Sequence, residues 1–251
     1  MWTSLAIAMG FVLVAFLVAT ASAAWMRRRH GAEHAGDTRD LARDISTRLG
    51  VLHGLILGLV FGHVVAQSGD LRTGLRAEAA AVEHIYYLAH DYRAPAVQAA
   101  AARYVDAVIE EDWPSQRNAG EVSDAGWLAL RALQSTLLAL APVDRREHVL
   151  ADAMQQDMWT LERQRQLRGY QSAGHLPFEF WFASVVGLAL IGALTFVYAP
   201  TPKHLAIVGA YAVYAGLVLY MIFDLSRPFA GLITVGPEAF ESARGSFRSG
   251  L

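Results

Sequence analysis

The sequence predicts an all-α membrane protein, with four transmembrane helices and a helical extramembrane bundle between spans two and three. Three observations predict it. Hydrophobic residues make up 54% of the 251 and charged residues only 18%, whereas soluble chains carry roughly a quarter charged residues. The apolar residues gather into four runs, each near the ~20 helical residues that cross a bilayer core. A long polar stretch divides the second run from the third, and its apolar residues recur at three- and four-residue spacing.

Span one covers residues 5–25 and holds no charge. Ala21-Ser22-Ala23 resembles a signal-peptide cleavage site, but Arg27-Arg28-Arg29 follows the apolar run instead of preceding it. That reverses the charge order of a signal peptide, so a retained span is expected. Span two covers residues 49–67 and contains His53 and His63. These two complete an N-terminal transmembrane pair, residues 1–67. An extramembrane domain, residues 68–176, holds 15 of the 23 acids. Its helices are read from Leu71, Leu75, Val82 and Ile85, then Val97, Ala101, Tyr104 and Val108, then Trp127, Leu130, Leu133 and Leu137. Pro114 with Asn118-Ala119-Gly120 marks a loop. Ser123 or Asp124 caps the next helix, Pro142 ends it, and Asp144 starts another reaching about Gly169. A transmembrane hairpin, residues 177–224, follows. Its two spans are joined at Pro200-Thr-Pro202, where prolines stop a helix, and are expected to be antiparallel neighbours. Residues 225–251 form a tail. Trp25, Trp181, Tyr198 and Tyr220 fall near span ends, where amphipathic rings prefer the headgroup level.

Arg27, Arg28, Arg29, Arg39, Arg43 and Arg48 favour a cytoplasmic first linker, which leaves the middle domain external. Arg72, Arg76, Arg163, Arg165, Arg168 and Arg227 flank the other face almost as heavily, so both orientations stay open.

Net charge is −2 and cysteine is absent. No basic field points to nucleic acid, and disulfides and cysteine-based metal sites or nucleophiles are excluded. No phosphate loop, nucleophile elbow or His-Glu-x-x-His is present. Neither an enzyme nor a cofactor is expected. Glu110-Glu111-Asp112 lacks the spacing of a calcium loop and reads as a solvated helix end. No metal site is assigned.

The second span has an internal pattern. Gly50, Gly54, Gly58 and Gly62 recur every fourth residue and form a bare stripe along a helix. Away from it stand Leu52, Ile56, Leu59, His63 and Gln67. Two readings follow. The stripe packs against a helix of the same subunit, or it packs on a sister subunit while the bulky face lines a pore. In the second reading Ile56 and Leu59 form a hydrophobic neck that gates by dewetting. His63, Gln67, Arg72 and Arg76 then shape the pore mouth, where positive charge attracts anions. His53 and His63 are ionisable groups inside a membrane and so are functional candidates. Each could equally hydrogen-bond a neighbouring helix.

After the fourth span comes Asp224-Leu-Ser-Arg-Pro-Phe-Ala-Gly231-Leu-Ile-Thr-Val-Gly-Pro-Glu-Ala-Phe240. This segment resembles the C-terminal Asp-Leu-x-Arg-Pro-Phe-x-Gly signature of a bacterial membrane-protein family labelled bestrophin-like. Other segments match that family in order: Gly54-Leu-Ile-Leu-Gly58, Arg76-Ala-Glu78-Ala-Ala-Ala-Val82, Tyr86-Tyr-Leu-Ala89, Tyr104-Val105, Glu111-Asp-Trp113 and Arg163 to Arg168. The resemblance covers essentially the whole chain. It implies a homo-oligomeric channel, by analogy pentameric, whose axial pore is lined by span two and passes small inorganic anions across the bacterial inner membrane. The acidic run that follows the Pro-Phe-Gly segment of bestrophins is missing here, so calcium gating is not implied. Read physically, Asp224, Arg227, Pro228, Phe229 and Gly231 form a structural clasp: a charge pair, a helix stop and a turn. Phe229, Leu232 and Ile233 would then dock on the helical domain. The alternative function is a non-conducting membrane scaffold or sensor whose helical domain binds a partner.

Overall fold

A computed structural model of the chain describes residues 2–30, 35–172, 174 and 176–249. The described residues are helical and contain no strand. Among the described residues, four helices are long and apolar enough to cross a membrane. The contacts divide the chain into two compact units. One is residues 1–66 with 175–226, and the other is residues 67–174 with 227–251.

The membrane unit contains α1 (Trp2–His30), the first part of α2 (Ala35–Tyr92), α7 (Phe178–Leu194) and α8 (Pro202–Leu225). The close backbone partner of α7, and of α8, is α1. The two hairpin helices also touch through side chains, as the short connection suggested, with Leu188 buried among Ala212 and Ala215 and the Trp181 and Phe223 ring centroids 6.4 Å apart, but their backbones come closer to α1. The reason is the size of the facing residues. Ala15 and Ala19 of α1 are buried with Leu188 of α7 and with Ala212 and Ala215 of α8. A Cβ on Gly216 would lie 2.7 Å from Val12 Cα, and one on Gly192 would lie 2.7 Å from Ala19 Cα. Such bare surfaces let helix backbones approach in lipid.

At the hairpin, α7 ends at Leu194 and a short 3-10 turn, Thr195–Val197, follows before Pro200 is reached. Pro202 begins α8, where its missing N–H costs nothing. Thr201 Oγ1 caps that helix, accepting from the His204 N–H at 3.3 Å.

The polar unit contains the rest of α2, α3 (Pro95–Ala107), a π-helical turn (Val108–Asp112), α4 (Trp113–Ala119), α5 (Asp124–Leu138), α6 (Arg145–Ser172) and α9 (Glu238–Ser249). Helix α2 starts far earlier than the apolar run because residues 39–48 are polar yet helix-compatible, with an Asp44–Arg48 ion pair at 3.0 Å one turn apart. It ends where Arg93 takes a left-handed φ of 65° and Ala94 precedes a proline. Pro114 does not open a loop. It lies in the first turn of α4, and the chain turns instead at Gly120, φ 73°. Ser123 caps α5 by accepting from the Gly126 N–H at 3.0 Å. Asp144 caps α6 by accepting from the Glu147 N–H at 2.7 Å, and Glu147 accepts in return from the Val143 N–H at 2.8 Å. One apolar core joins Leu71, Val82 and Ile85 of α2, Val97 and Val105 of α3, Leu133 of α5 and Met158 of α6.

Gly216→Val forces a side chain into the α1 backbone. We expect a loss of about 1–3 kcal/mol, read from equilibrium unfolding of the detergent-solubilised protein.

Candidate functional site

The second span presents three faces. His53, Leu57 and Val64 are buried, the last two beside Phe180, Leu219 and Ile222. One His53 ring nitrogen, Nδ1, lies 2.7 Å from Tyr211 Oη, and the other lies 3.1 Å from the Ser184 carbonyl. Both are thus engaged by neighbouring helices, and the ring ties α2 to α7 and α8. A second face carries Leu52, Ile56 and Leu59, which are 54%, 37% and 66% exposed, with His63 also exposed. The third face is the glycine stripe. A Cβ built on Gly50, Gly54, Gly58 or Gly62 would meet nothing within 4 Å. Among the described residues, the stripe therefore packs on no helix of its own subunit.

In the polar unit, Gln67 is half-buried, while Arg72 and Arg76 are exposed. The two arginines border a cavity of about 480 Å³ together with Leu75, Val235 and Glu238. A carboxylate from the tail thus shares the arginines' surroundings.

The tail residues lie as follows. Asp224 is buried in the membrane unit, where its Oδ1 accepts from Tyr220 Oη at 3.5 Å. In the polar unit the Arg227 carbonyl accepts from the Ala230 and Gly231 N–H groups at 3.1 and 2.9 Å, and the Pro228 carbonyl accepts from Val235 N–H at 2.8 Å. Phe229 is buried against Trp113, ring centroids 5.6 Å apart and nearly perpendicular. The Trp113 indole N–H donates to the Val235 carbonyl at 3.2 Å. Leu232 and Ile233 do not bury with Phe229, each being 52% exposed, because the segment turns on itself at Pro228–Val235.

The most concentrated polar arrangement lies inside the polar unit. Glu78, Asp112, Arg165 and Arg168 are each no more than 1% exposed. Arg168 donates to Glu78 through Nε at 3.0 Å and Nη2 at 2.9 Å, to Asp112 at 2.9 Å and to Gln116 at 2.8 Å. Arg165 grips Asp112 with both terminal nitrogens, one to each oxygen. Tyr104 Oη donates to Glu78 at 2.5 Å, and Ser123 donates to Asp112 through N–H at 2.9 Å and Oγ at 2.7 Å. Aromatic rings close the assembly. Arg165 lies over Tyr104 and Trp127 at 5.7 and 5.0 Å, and Arg168 over Trp113 and Phe240 at 5.6 and 5.9 Å. Gly126 is required beside them, since a Cβ there would strike the Arg165 guanidinium and the Asp112 carboxylate.

Two acids and two guanidinium groups balance. Burial alone would raise the Asp112 carboxyl, but hydrogen bonds from Arg165 and the charges of Arg168 and Arg165 outweigh it and hold the pKa below its ordinary value. Burial, with the Glu78 charge next, pushes the Tyr104 phenol up. Asp112 is therefore no solvated helix end. All three acids lie in the π turn, which buries Asp112 and leaves Glu110 and Glu111 exposed. The sequence carried a signal for this cluster. Glu78 falls in the apolar series Leu71, Leu75, Val82, Ile85, and Arg165 and Arg168 continue Met154, Met158, Leu161. A charge at a core position of a helix needs a partner.

Four spanning helices and this ion-bearing helical unit define a multi-pass, all-helical membrane protein. Its family follows from comparison: the model of the bestrophin-like domain matches residues 13–240, so the chain belongs to the bestrophin-like family. No curated protein and no solved structure matches the chain.

Removing one member of the cluster strands a buried charge. Arg168→Met is expected to cost about 3–5 kcal/mol in urea unfolding, and Arg168→Met with Glu78→Leu to recover part of the loss. Asp112 contributes stability that is complete above the ordinary aspartate pKa of about 3.9 and drains away as pH falls through its lower native value. An acid titration of unfolding free energy should show that slope, and Asp112→Asn should flatten it.

Proposed function

We propose that the chain forms a homo-oligomeric ion channel with anion preference in the bacterial inner membrane, and that the second span lines its pore. One observation carries the reading. The subunit buries a single face of that span and leaves both the glycine stripe and the Leu52–Ile56–Leu59–His63 face uncovered. Membership of the bestrophin-like family supports it. A stripe of glycines favours close approach of a second helix, and a sister copy of span two would supply one. The bulky face would then turn toward the axis. Ile56 and Leu59 would form a constriction from which water withdraws, and Arg72 and Arg76 would raise the local anion concentration at one end. Five copies are the number the family analogy suggests. The reading assigns the chain no covalent chemistry.

Gly58→Val should leave the subunit folded, since the added side chain meets open space, and should split the oligomer in native mass spectrometry. In planar bilayers the wild-type oligomer should conduct. Ile56→Ala and Leu59→Ala should open more readily, and Arg72→Glu with Arg76→Glu should move the reversal potential away from anion selectivity. An intact oligomer that stays silent in all of these forms is a scaffold or sensor, not a channel.

A further inference from the structure

The membrane unit contains a cavity of about 510 Å³ between the C-terminal end of α1 and the start of α8. Its walls are apolar, formed chiefly by Ala23, Ala24, Leu205, Ile207 and Val208. Its polar residues include Arg27, Tyr198 and His204, and no acidic side chain lines it among the described residues. Arg27 is held in place there: its Nη2 donates to the Tyr198 carbonyl at 2.6 Å and, at 3.5 Å, to that of Phe196. More positive charge stands close by. The Arg39 guanidinium lies 5.1 Å from the centre of the Tyr198 ring, and Arg28 and Lys203 adjoin Arg27 and His204 in the chain.

These features match one kind of molecule. Arg27 is the first charged residue after span one, so it marks the level where hydrocarbon gives way to headgroups. Below that level the slot offers apolar walls to a hydrocarbon chain. At that level the described residues lining it offer positive charge and no carboxylate. A basic recess between spanning helices favours a lipid with an anionic headgroup. A zwitterionic lipid of equal chain length would fill the walls equally but gain less at the rim.

We infer that this slot is a binding site for an anionic phospholipid, with an acyl chain between α1 and α8 and its phosphate at Arg27. The site is independent of whether the protein conducts.

The test uses the full-length protein, delipidated in detergent and titrated with phosphatidylglycerol or phosphatidylcholine of identical acyl chains. Retained lipid is counted by native mass spectrometry. Wild type should retain phosphatidylglycerol better by about fivefold, the effect of one interfacial cation. Arg27→Gln should abolish that preference, and Arg48→Gln, an exposed arginine outside the slot, should keep it. Arg27 also secures the hairpin, so Arg27→Gln could misfold. Ala24→Phe then decides: it fills the slot while keeping every charge and should remove phosphatidylglycerol retention without lowering the thermal midpoint. Equal retention of both lipids by wild type overturns the proposal. So does undiminished retention by Ala24→Phe. If Ala24→Phe splits the oligomer while phosphatidylglycerol stays bound, the slot holds a second copy of the chain and the proposal fails.

Discussion

The polar unit is organised around two guanidinium groups that have left water. Arg165 and Arg168 are completely enclosed, and an isolated ion in such a place is prohibitively costly. Most of what surrounds them answers that cost, with Arg165 Nε left without a hydrogen-bond partner among the described residues. Asp112 and Glu78 supply the opposite charge, Gln116 and Ser123 fill further hydrogen-bonding positions, and Tyr104, Trp113, Trp127 and Phe240 present ring faces or edges. Charge-assisted hydrogen bonds join α2, α3, the π turn, α4 and α6, so these cannot slide past one another without breaking one, and α5 and α9 add the rings of Trp127 and Phe240. Even the tail is secured through it. Phe229 and Phe240 reach the cluster by packing on Trp113, whose ring Arg168 also faces.

Glycine serves two opposed purposes in the membrane unit. Gly192 and Gly216 are spent inside the subunit, where α1 presses against α7 and α8 so closely that a methyl group would collide with backbone. The four glycines of the second span face open space. Composition alone treats the two sets alike. What separates them is whether a partner helix is already present. That contrast is why the unsatisfied set directs attention outward from the subunit.

Much of the fold was legible because periodicity and caps are local properties. Four spans, the Ser123 and Asp144 caps and the helical character of the polar stretch follow from spacing and turn chemistry. The misreadings share a cause, which is that tertiary neighbours override local signals. Pro114 and Pro202 read as breakers, yet each sits in a first helical turn where proline is tolerated. Asp112 read as solvated because it follows two exposed glutamates. A one-residue irregularity turns it inward, and no spacing rule anticipates that. The exposed face of span two is legible as a pattern, but one chain does not display what covers it.

The π turn bears on how this protein can change over time. Its Trp113 N–H bonds back to the Val108 carbonyl, five residues earlier, so the turn holds one residue more than an ordinary helical turn would. Tyr104, Val108 and Asp112 thereby keep to the interior at four-residue intervals. Because one surplus residue is what sets this turn apart, excising a single residue here would let the helix relax to regular geometry while the elements that follow keep roughly their orientation. The same loss from a regular helix would swing all that follows by about 100°. Gaps in an alignment of related chains should therefore gather at this segment and avoid the regular helices beside it.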